Sequence, residues 1–199
     1  MFYDTVNYAH GLPHDPLKAI IAPRPIGWIS AVSASGQVNL SPYSFFNAFS
    51  TRPPIVGFSS EGFKDAVAFI SETREFVCNL ATWDLRDAMN ATSATLPRGQ
   101  SEFDHAGLEQ EPSSIVKPPR VKGVAAALEC RLTDIQQLKT STGEQLERYL
   151  VLGHVVGVYI DERFIKDGRF DITAAKPIAR CGYHDYAVVN EVFSIVRPS

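Results

Sequence analysis

The chain has 199 residues, 45% hydrophobic and 21% charged, which suits one ordinary globular core and leaves no long stretch for disorder. Its 19 basic and 22 acidic side chains give a formal charge of −3 with no basic stripe, which argues against a nucleic-acid binder. Cys78, Cys130 and Cys181 are odd in number and far apart, with no CxxC pair, which argues against a disulfide framework or a zinc site and points to a reducing cytosol.

The first residues, MFYDTVNYAHGL, lack a basic stretch leading into an apolar run, and no window approaches the roughly 18 apolar residues of a membrane span. Neither secretion nor membrane insertion is expected, and the location implied is cytoplasmic. His10 and His14 stand four apart, but Pro13 between them makes a surface loop the better reading than a helical metal pair.

From Pro25 to Ser33 the residues alternate as a strand, with Ile26, Trp28, Ser30 and Val32 on one face and Gly27, Ile29 and Ala31 on the other. The second face is bare at Gly27 and Ala31, which suits close approach of a backbone or a flat ring. A turn at Ser35-Gly36 leads into Gln37–Leu40, which Pro42 must end or push to a sheet edge. Ser41 to Asn47 then reads as a loop of hydroxyl and amide side chains set among aromatics. Pro53-Pro54 enforces an extended entry into a strand at 55–59.

Phe63, Ala66, Val67 and Ile70 follow the i, i+3, i+4, i+7 spacing of an amphipathic helix, with Ser59, Ser60 and Gly62 as cap candidates. A helix start carrying Lys64 is either a phosphate seat, since free N–H groups and the positive helix end face outward there, or a capped surface helix with a solvated lysine. Glu75–Leu80 is a further strand, and Asp84 is placed to cap a helix that buries Leu85, Ala88 and Met89. Residues 95–120 form a long proline-interrupted excursion, of a length more often functional or interfacial than idle. Two long β segments follow, 121–138 and 148–160, joined by a turn at 140–143. In the second, Gly153 and Gly157 share a face and suggest a bend or close packing against a second subunit. His154 on the opposite face is either a satisfied or interfacial histidine or a polar contact to substrate. Apolar runs at 187–189 and 192–196 could pair as a final strand.

The common catalytic signatures are missing: there is no GxGxxG, Walker loop, GxSxG elbow, HExxH or kinase set. Cys78 lies within a strand and reads as a small buried hydrophobe, and no catalytic side chain is assigned.

RPIGWIS at 24–30, NLSPYSFFN at 39–47, Pro53-Pro54, Lys64-Asp65, Glu75-Phe76 with Asn79, SEF at 101–103, AGL at 106–108 and LEC at 128–130 stand in the order seen in flavin reductase-like proteins. The chain resembles the FMN-binding split β-barrel group, flavin reductase-like branch, over roughly residues 20–186. The resemblance implies a mainly β (α+β) fold: a six-stranded antiparallel Greek-key split barrel with flanking helices, as a single domain over 1–199. It also implies a homodimer that binds FMN and takes hydride from NAD(P)H. Carried over residue by residue, it gives Trp28, Ile29, Ser30, Ser41, Pro42, Tyr43, Ser44 and Asn47 as contacts to the ring and ribityl chain. Ser59, Ser60, Lys64 and Asp65 receive the phosphate; outside the resemblance, His154 stays the candidate substrate contact, with the satisfied or interfacial histidine still open beside it. Such chemistry needs no protein acid or nucleophile, because the flavin accepts the hydride and the protein supplies position and electrostatics. One departure bears on the donor. The glycine-aspartate-histidine triplet that many short flavin reductases use for nicotinamide is here Glu147-Arg148-Tyr149. A flavin reductase and a non-catalytic FMN-binding electron carrier or reservoir are therefore both open readings.

Overall fold

The computed structural model describes residues 1–97 and 99–198. Its first half runs α1 (Leu17–Ile20), β1 (Arg24–Pro25), β2 (Gly27–Val32), β3 (Val38–Tyr43), β4 (Phe46–Thr51), β5 (Pro54–Glu61), α2 (Asp65–Thr73), β6 (Glu75–Leu80) and α3 (Arg86–Ala91). The second half runs α4 (Glu102–His105), β7 (Gln110–Glu111), β8 (Arg120–Val121), β9 (Ala126–Lys139), β10 (Gln145–Ile160), β11 (Ile165–Lys166), β12 (Arg169–Phe170), α5 (Ile172–Ala175), β13 (Ile178–Gly182) and β14 (Asp185–Val188).

The main sheet has seven strands in the order β3-β2-β6-β9-β10-β5-β4, every neighbouring pair antiparallel. Its two edge strands, β3 and β4, follow each other in the chain with only Ser44 and Phe45 between them, so the edges must meet at that corner. The sheet therefore curls into a barrel with one open seam. The contacts across the corner are close: the Tyr43 and Phe58 rings lie 4.5 Å apart, and Ser59 N–H donates to the Phe45 carbonyl at 2.8 Å. The stretch expected as a loop, Ser41 to Asn47, is mostly strand: Ser41–Tyr43 complete β3, and Phe46 and Asn47 open β4, which pairs with β5 as the seventh strand. Pro42 is tolerated because β3 is an edge and one side of it needs no ladder donor.

Alternation along β2 is as the residue pattern predicts, and both faces are covered. Ile29 and Ala31 join Phe58, Val67, Ile70, Phe76, Cys130 and Val151 in one core, while Ile26 and Trp28 join Leu40, Val77, Met89, Phe103 and Val121 in another. The bare face at Gly27 is filled by protein: a Cβ there would meet the Phe46 ring at 2.6 Å. Gly153 is the same device, a Cβ there meeting the Phe76 ring at 2.3 Å, and β-bulges flank it in the β9–β10 pairing. Its smallness serves packing within the barrel and a bend of the strand.

Several expectations at element ends need correction. Phe63 precedes α2, is half exposed, and packs edge-on against Tyr149 at 5.2 Å, so it is no part of the buried helical face. Ser59 and Ser60 are strand residues and cap nothing; Lys64 is the N-cap. At α3 the N-cap is Leu85, without a side-chain cap from Asp84. The long β segment begins at Ala126 rather than 121, because Gly123 with φ +83° separates it from β8. The final apolar run forms only β14, and Val192, Phe193, Ile195 and Val196 lie exposed beyond it.

The excursion 95–120 is held by two buried carboxylates. Glu102 accepts from Asn39 Nδ2 at 2.9 Å and Leu40 N–H at 3.0 Å, which fastens α4 to β3. Glu129 on β9 accepts from the N–H groups of Ser114 (2.8 Å), Ile115 (2.6 Å) and Val116 (3.2 Å). Each such bond satisfies a donor that would otherwise be stranded, at a cost of about 1–3 kcal/mol.

Candidate functional site

Where β5 ends, Gly62 takes φ +80° and turns the chain, its N–H bonded to the Glu147 carbonyl at 3.0 Å. Lys64 stays extended at φ −78°, ψ 174°, and α2 starts at Asp65. No side chain caps this start, so the first-turn N–H groups and the positive end of a nine-residue helix stay available. They border a cleft of about 330 Å³ walled by Ser41, Pro42 and Tyr43 of β3, by Lys64 and Asp65, by the segment Thr92–Leu96, and by Asn39 and Glu102.

The cleft mixes cation, hydroxyls and acids. Lys64 is exposed, and Ser41, Ser93 and Thr95 add hydroxyls along the wall. Asp65 and Glu102 oppose the lysine, and burial pushes the Glu102 carboxyl above the usual carboxylate range, with the Leu40 N–H and Asn39 bonds pulling the other way. Burial likewise pushes the Tyr43 phenol up to about 12, the Ser60 and Ser41 hydroxyls pulling the other way. Tyr43 is therefore a neutral wall at ordinary pH. Burial, with Cys130 alongside, also holds the Cys78 thiol well above its usual value, in keeping with an inert core residue.

The residues expected at the site fall into separate groups. Ser41, Pro42, Tyr43, Lys64 and Asp65 meet in this cleft, so two stretches over twenty residues apart in the chain converge there. Ser44, Asn47 and Ser59 instead line a neighbouring cavity of about 440 Å³ with Ile20, Ile21, Arg24 and the rings of Phe45, Phe46 and Phe49. A smaller space of about 210 Å³ touches both Pro42 and Ser44 and so joins the two groups at the barrel corner.

Trp28, Ile29 and Ser30 are wholly buried and line neither the Lys64 cleft nor the cavity beside it. The Trp28 indole N–H donates to Thr92 Oγ1 at 2.9 Å, Ile29 is core, and Ser30 Oγ donates to the Pro119 carbonyl. Ser60 is also buried, its hydroxyl spent on the Gly62 carbonyl at 2.9 Å. The four side chains are thus buried and, where polar, bonded within the protein, beneath the residues that wall the cleft. His154 is half-buried on the face of β10 opposite Gly153, between Ile55 and Arg131, and lines none of these cavities.

Asn39, Ala66, Thr92–Leu96 and Glu102 are the wall residues that sequence reading missed. The signal was present: Ala91-Thr92-Ser93-Ala94-Thr95 is a run of small and hydroxyl residues directly after a helix, a composition that suits close contact with a polar ligand.

Much of the motif set turns out to be framework. Asn79 donates to the Trp28 carbonyl at 3.0 Å and accepts from Val121 N–H at 2.8 Å, bracing β2 against β8. Ser101 caps α4 through Phe103 N–H at 3.2 Å. The Arg24 guanidinium, 7% exposed, ties α1 down through the Lys18 and Ile21 carbonyls.

A seam-opened antiparallel barrel, with a hydroxyl-lined cleft carrying one lysine and two acids at an uncapped helix start, defines the chain's class of β-barrel architecture. Residues 21–172 match the model of the flavin reductase like domain, and the chain belongs to the flavin reductase-like family. An uncharacterised protein of Halalkalibacterium halodurans is 32% identical over 188 residues, covering 92% of this chain and 90% of its own. Among solved structures, nitrilotriacetate monooxygenase component B from Bacillus cereus superposes with a TM-score of 0.87 at 29% identity over 98% of each chain. Flavoredoxin of Desulfovibrio vulgaris superposes with a TM-score of 0.78 at 18% identity, over 98% of this chain and 97% of its own, a likeness of fold. The neighbours are split-barrel proteins, and this chain has that mainly β architecture with seven strands in the main sheet instead of six. Among the described residues no helix is long and apolar enough to cross a membrane, and no cluster of three metal-ligating side chains occurs.

Proposed function

We propose that the chain is an FMN-dependent oxidoreductase, a flavin reductase that takes hydride from NAD(P)H to or through FMN, working in the cytoplasm as one unit over residues 1–199. The observation that carries this reading is the convergence of Ser41–Tyr43 and Lys64–Asp65 on one cleft at the uncapped start of α2. The donor set fits the cofactor. Lys64 and the first-turn N–H groups would hold the phosphate, and Ser41, Ser93 and Thr95 would meet the ribityl hydroxyls. When bound, the flavin supplies the hydride-accepting centre. Pro42 and Tyr43 exclude water from one side of the cleft, and Glu102 fixes β3 so that Ser41 keeps its place.

We also propose a homodimer. Ile20, Ile21, Phe45 and Phe49, between 51% and 71% exposed, crowd around the 440 Å³ cavity, and an apolar patch rimmed by polar groups is the mark of an interface.

One observation favours the second reading, a flavin carrier without turnover of its own. At Glu147-Arg148-Tyr149, Arg148 is paired with Glu61 at 2.9 Å and Tyr149 packs on Phe63, so this stretch is engaged within the chain rather than offered to a nicotinamide. The absorption spectrum of the purified protein decides between them. A yellow protein whose flavin bands bleach anaerobically with NADH or NADPH supports the reductase. A yellow protein that neither donor bleaches leaves the carrier, and a colourless one that does not quench FMN fluorescence overturns both.

A further inference from the structure

A cavity of about 460 Å³ lies apart from the Lys64 cleft, between residues 83–90 and the β13–β14 hairpin. Main-chain pairing builds it: Ile178 N–H donates to the Ala81 carbonyl at 3.0 Å, Trp83 N–H to the Lys176 carbonyl at 2.9 Å, and Thr82 bridges to Pro177. Met89, Ile178 and Val188 give it an apolar floor.

Its walls carry two stacked cation and ring pairs. The Arg86 guanidinium lies 4.2 Å from the Trp83 ring centre, and that of Arg180 lies 4.5 Å from the Tyr186 ring centre. Both are oriented by main chain, Arg86 through the Trp83 carbonyl at 2.8 Å and Arg180 through the Tyr183 carbonyl at 2.6 Å. A guanidinium has five N–H donors, so each keeps others for a ligand. His184 lines the same space. The one acid there, Asp87, is 88% exposed and pairs with Arg86 at 3.3 Å, a surface ion pair of little strength. Flat rings beside fixed guanidiniums complement a molecule that is planar, aromatic and negatively charged. The volume lies in the range of small-molecule sites.

The position adds to the chemistry. Met89, Asn90, Arg180 and Tyr186 also border the 210 Å³ space, which shares Pro42 and Ser93 with the Lys64 cleft. The outer cavity is thus linked to that cleft through shared walls.

We propose that this outer cavity binds a planar aromatic anion, with its charge on Arg86 and Arg180 and its ring against Trp83 or Tyr186. Its role as the seat of a compound that meets the flavin rests on the FMN reading; its occupancy does not. Two sources offer this chemistry: the adenosine diphosphate half of a nicotinamide dinucleotide, and an aromatic carboxylic acid.

Calorimetric titration of the flavin-free protein with ADP and, separately, with benzoate tests the site. At least one probe is expected to bind with a Kd below about 1 mM, and Arg86→Gln and Arg180→Gln are each expected to weaken it about tenfold. ADP binding identifies the nucleotide source and benzoate binding the aryl acid. Binding of neither probe by the wild-type chain overturns the proposal whether or not the variants fold. So does binding unaffected by the double substitution, or inorganic diphosphate binding as tightly as the preferred probe. FMN titrated into the same samples keeps the two readings apart. FMN binding without either probe removes the outer site alone, and probe binding without FMN removes the flavin reading alone.

Discussion

Replacing Lys64 by alanine separates the phosphate end of the cleft from everything else in it. The side chain is exposed, makes no hydrogen bond within the protein that the fold relies on, and stands at the N-cap through its backbone, so Lys64→Ala should alter stability by no more than about 0.5 kcal/mol. Its ammonium would sit near an FMN phosphate. Two unit charges about 4 Å apart interact by about 1 kcal/mol in water and about 4 kcal/mol near a protein surface. With the lysine exposed, about 2 kcal/mol is the reasonable loss, or roughly 30-fold in Kd. Riboflavin lacks the phosphate and should lose no more than about twofold on the same scale. Fluorescence titration of wild type and variant with each flavin gives all four constants. The FMN difference should also shrink as salt is raised, because an exposed pair is screened. Equal losses for the two flavins, or none for FMN, would refute the phosphate assignment.

The remaining predictions concern the walls and the frame. The Glu102 carboxyl is raised by burial, so its contribution to stability is complete below the ordinary carboxylate value and declines as pH rises through the raised one. Glu102→Gln mimics the protonated form, and thermal melts should therefore show it gaining on wild type as pH rises from acid toward neutral; a constant difference would contradict this. Tyr43, raised to about 12, should be among the last tyrosines to ionise in an ultraviolet pH titration, and Tyr43→Phe should remove that late component. By the same sign, the stability it lends is complete below about 10 and is lost as pH climbs toward 12. Gly153→Ala would drive a methyl into the Phe76 ring and should cost about 1–3 kcal/mol in chemical denaturation; an unchanged midpoint would contradict the tight packing.

The sequence and the structure agree where a residue's environment is set by its near neighbours in the chain. Alternation in β2 gave both faces correctly, and apolar spacing found α2. They part where long-range contacts decide. Trp28 and Ser30 stand beside the cleft-lining stretch in sequence, yet their side chains are taken by Thr92 and Pro119, residues 64 and 89 positions away. No local pattern announces such partners. Ser41 to Asn47 reads as a loop because its residues are mixed in polarity, yet its start completes β3 and its end opens β4, because β2 and β5 offer edges to pair with. Ser59 and Ser60 have the composition of caps but sit before a glycine turn that moves the helix start to Asp65. The convergence of residues 41–43 with 64–65 was legible only through the resemblance, because spacing alone does not bring an edge strand to a helix end.

The hydrogen bond from Trp28 to Thr92 also gives the protein a built-in optical contrast. The chain has two tryptophans: Trp28 is sealed from solvent and bonded to the hydroxyl segment of the Lys64 cleft, while Trp83 is 45% exposed on the wall of the outer cavity. Their emission should differ in colour, the sealed indole bluer and the open one redder and open to acrylamide. A ligand in either space would then dim a different part of the same spectrum, so one cuvette could follow the two occupancies separately without any label.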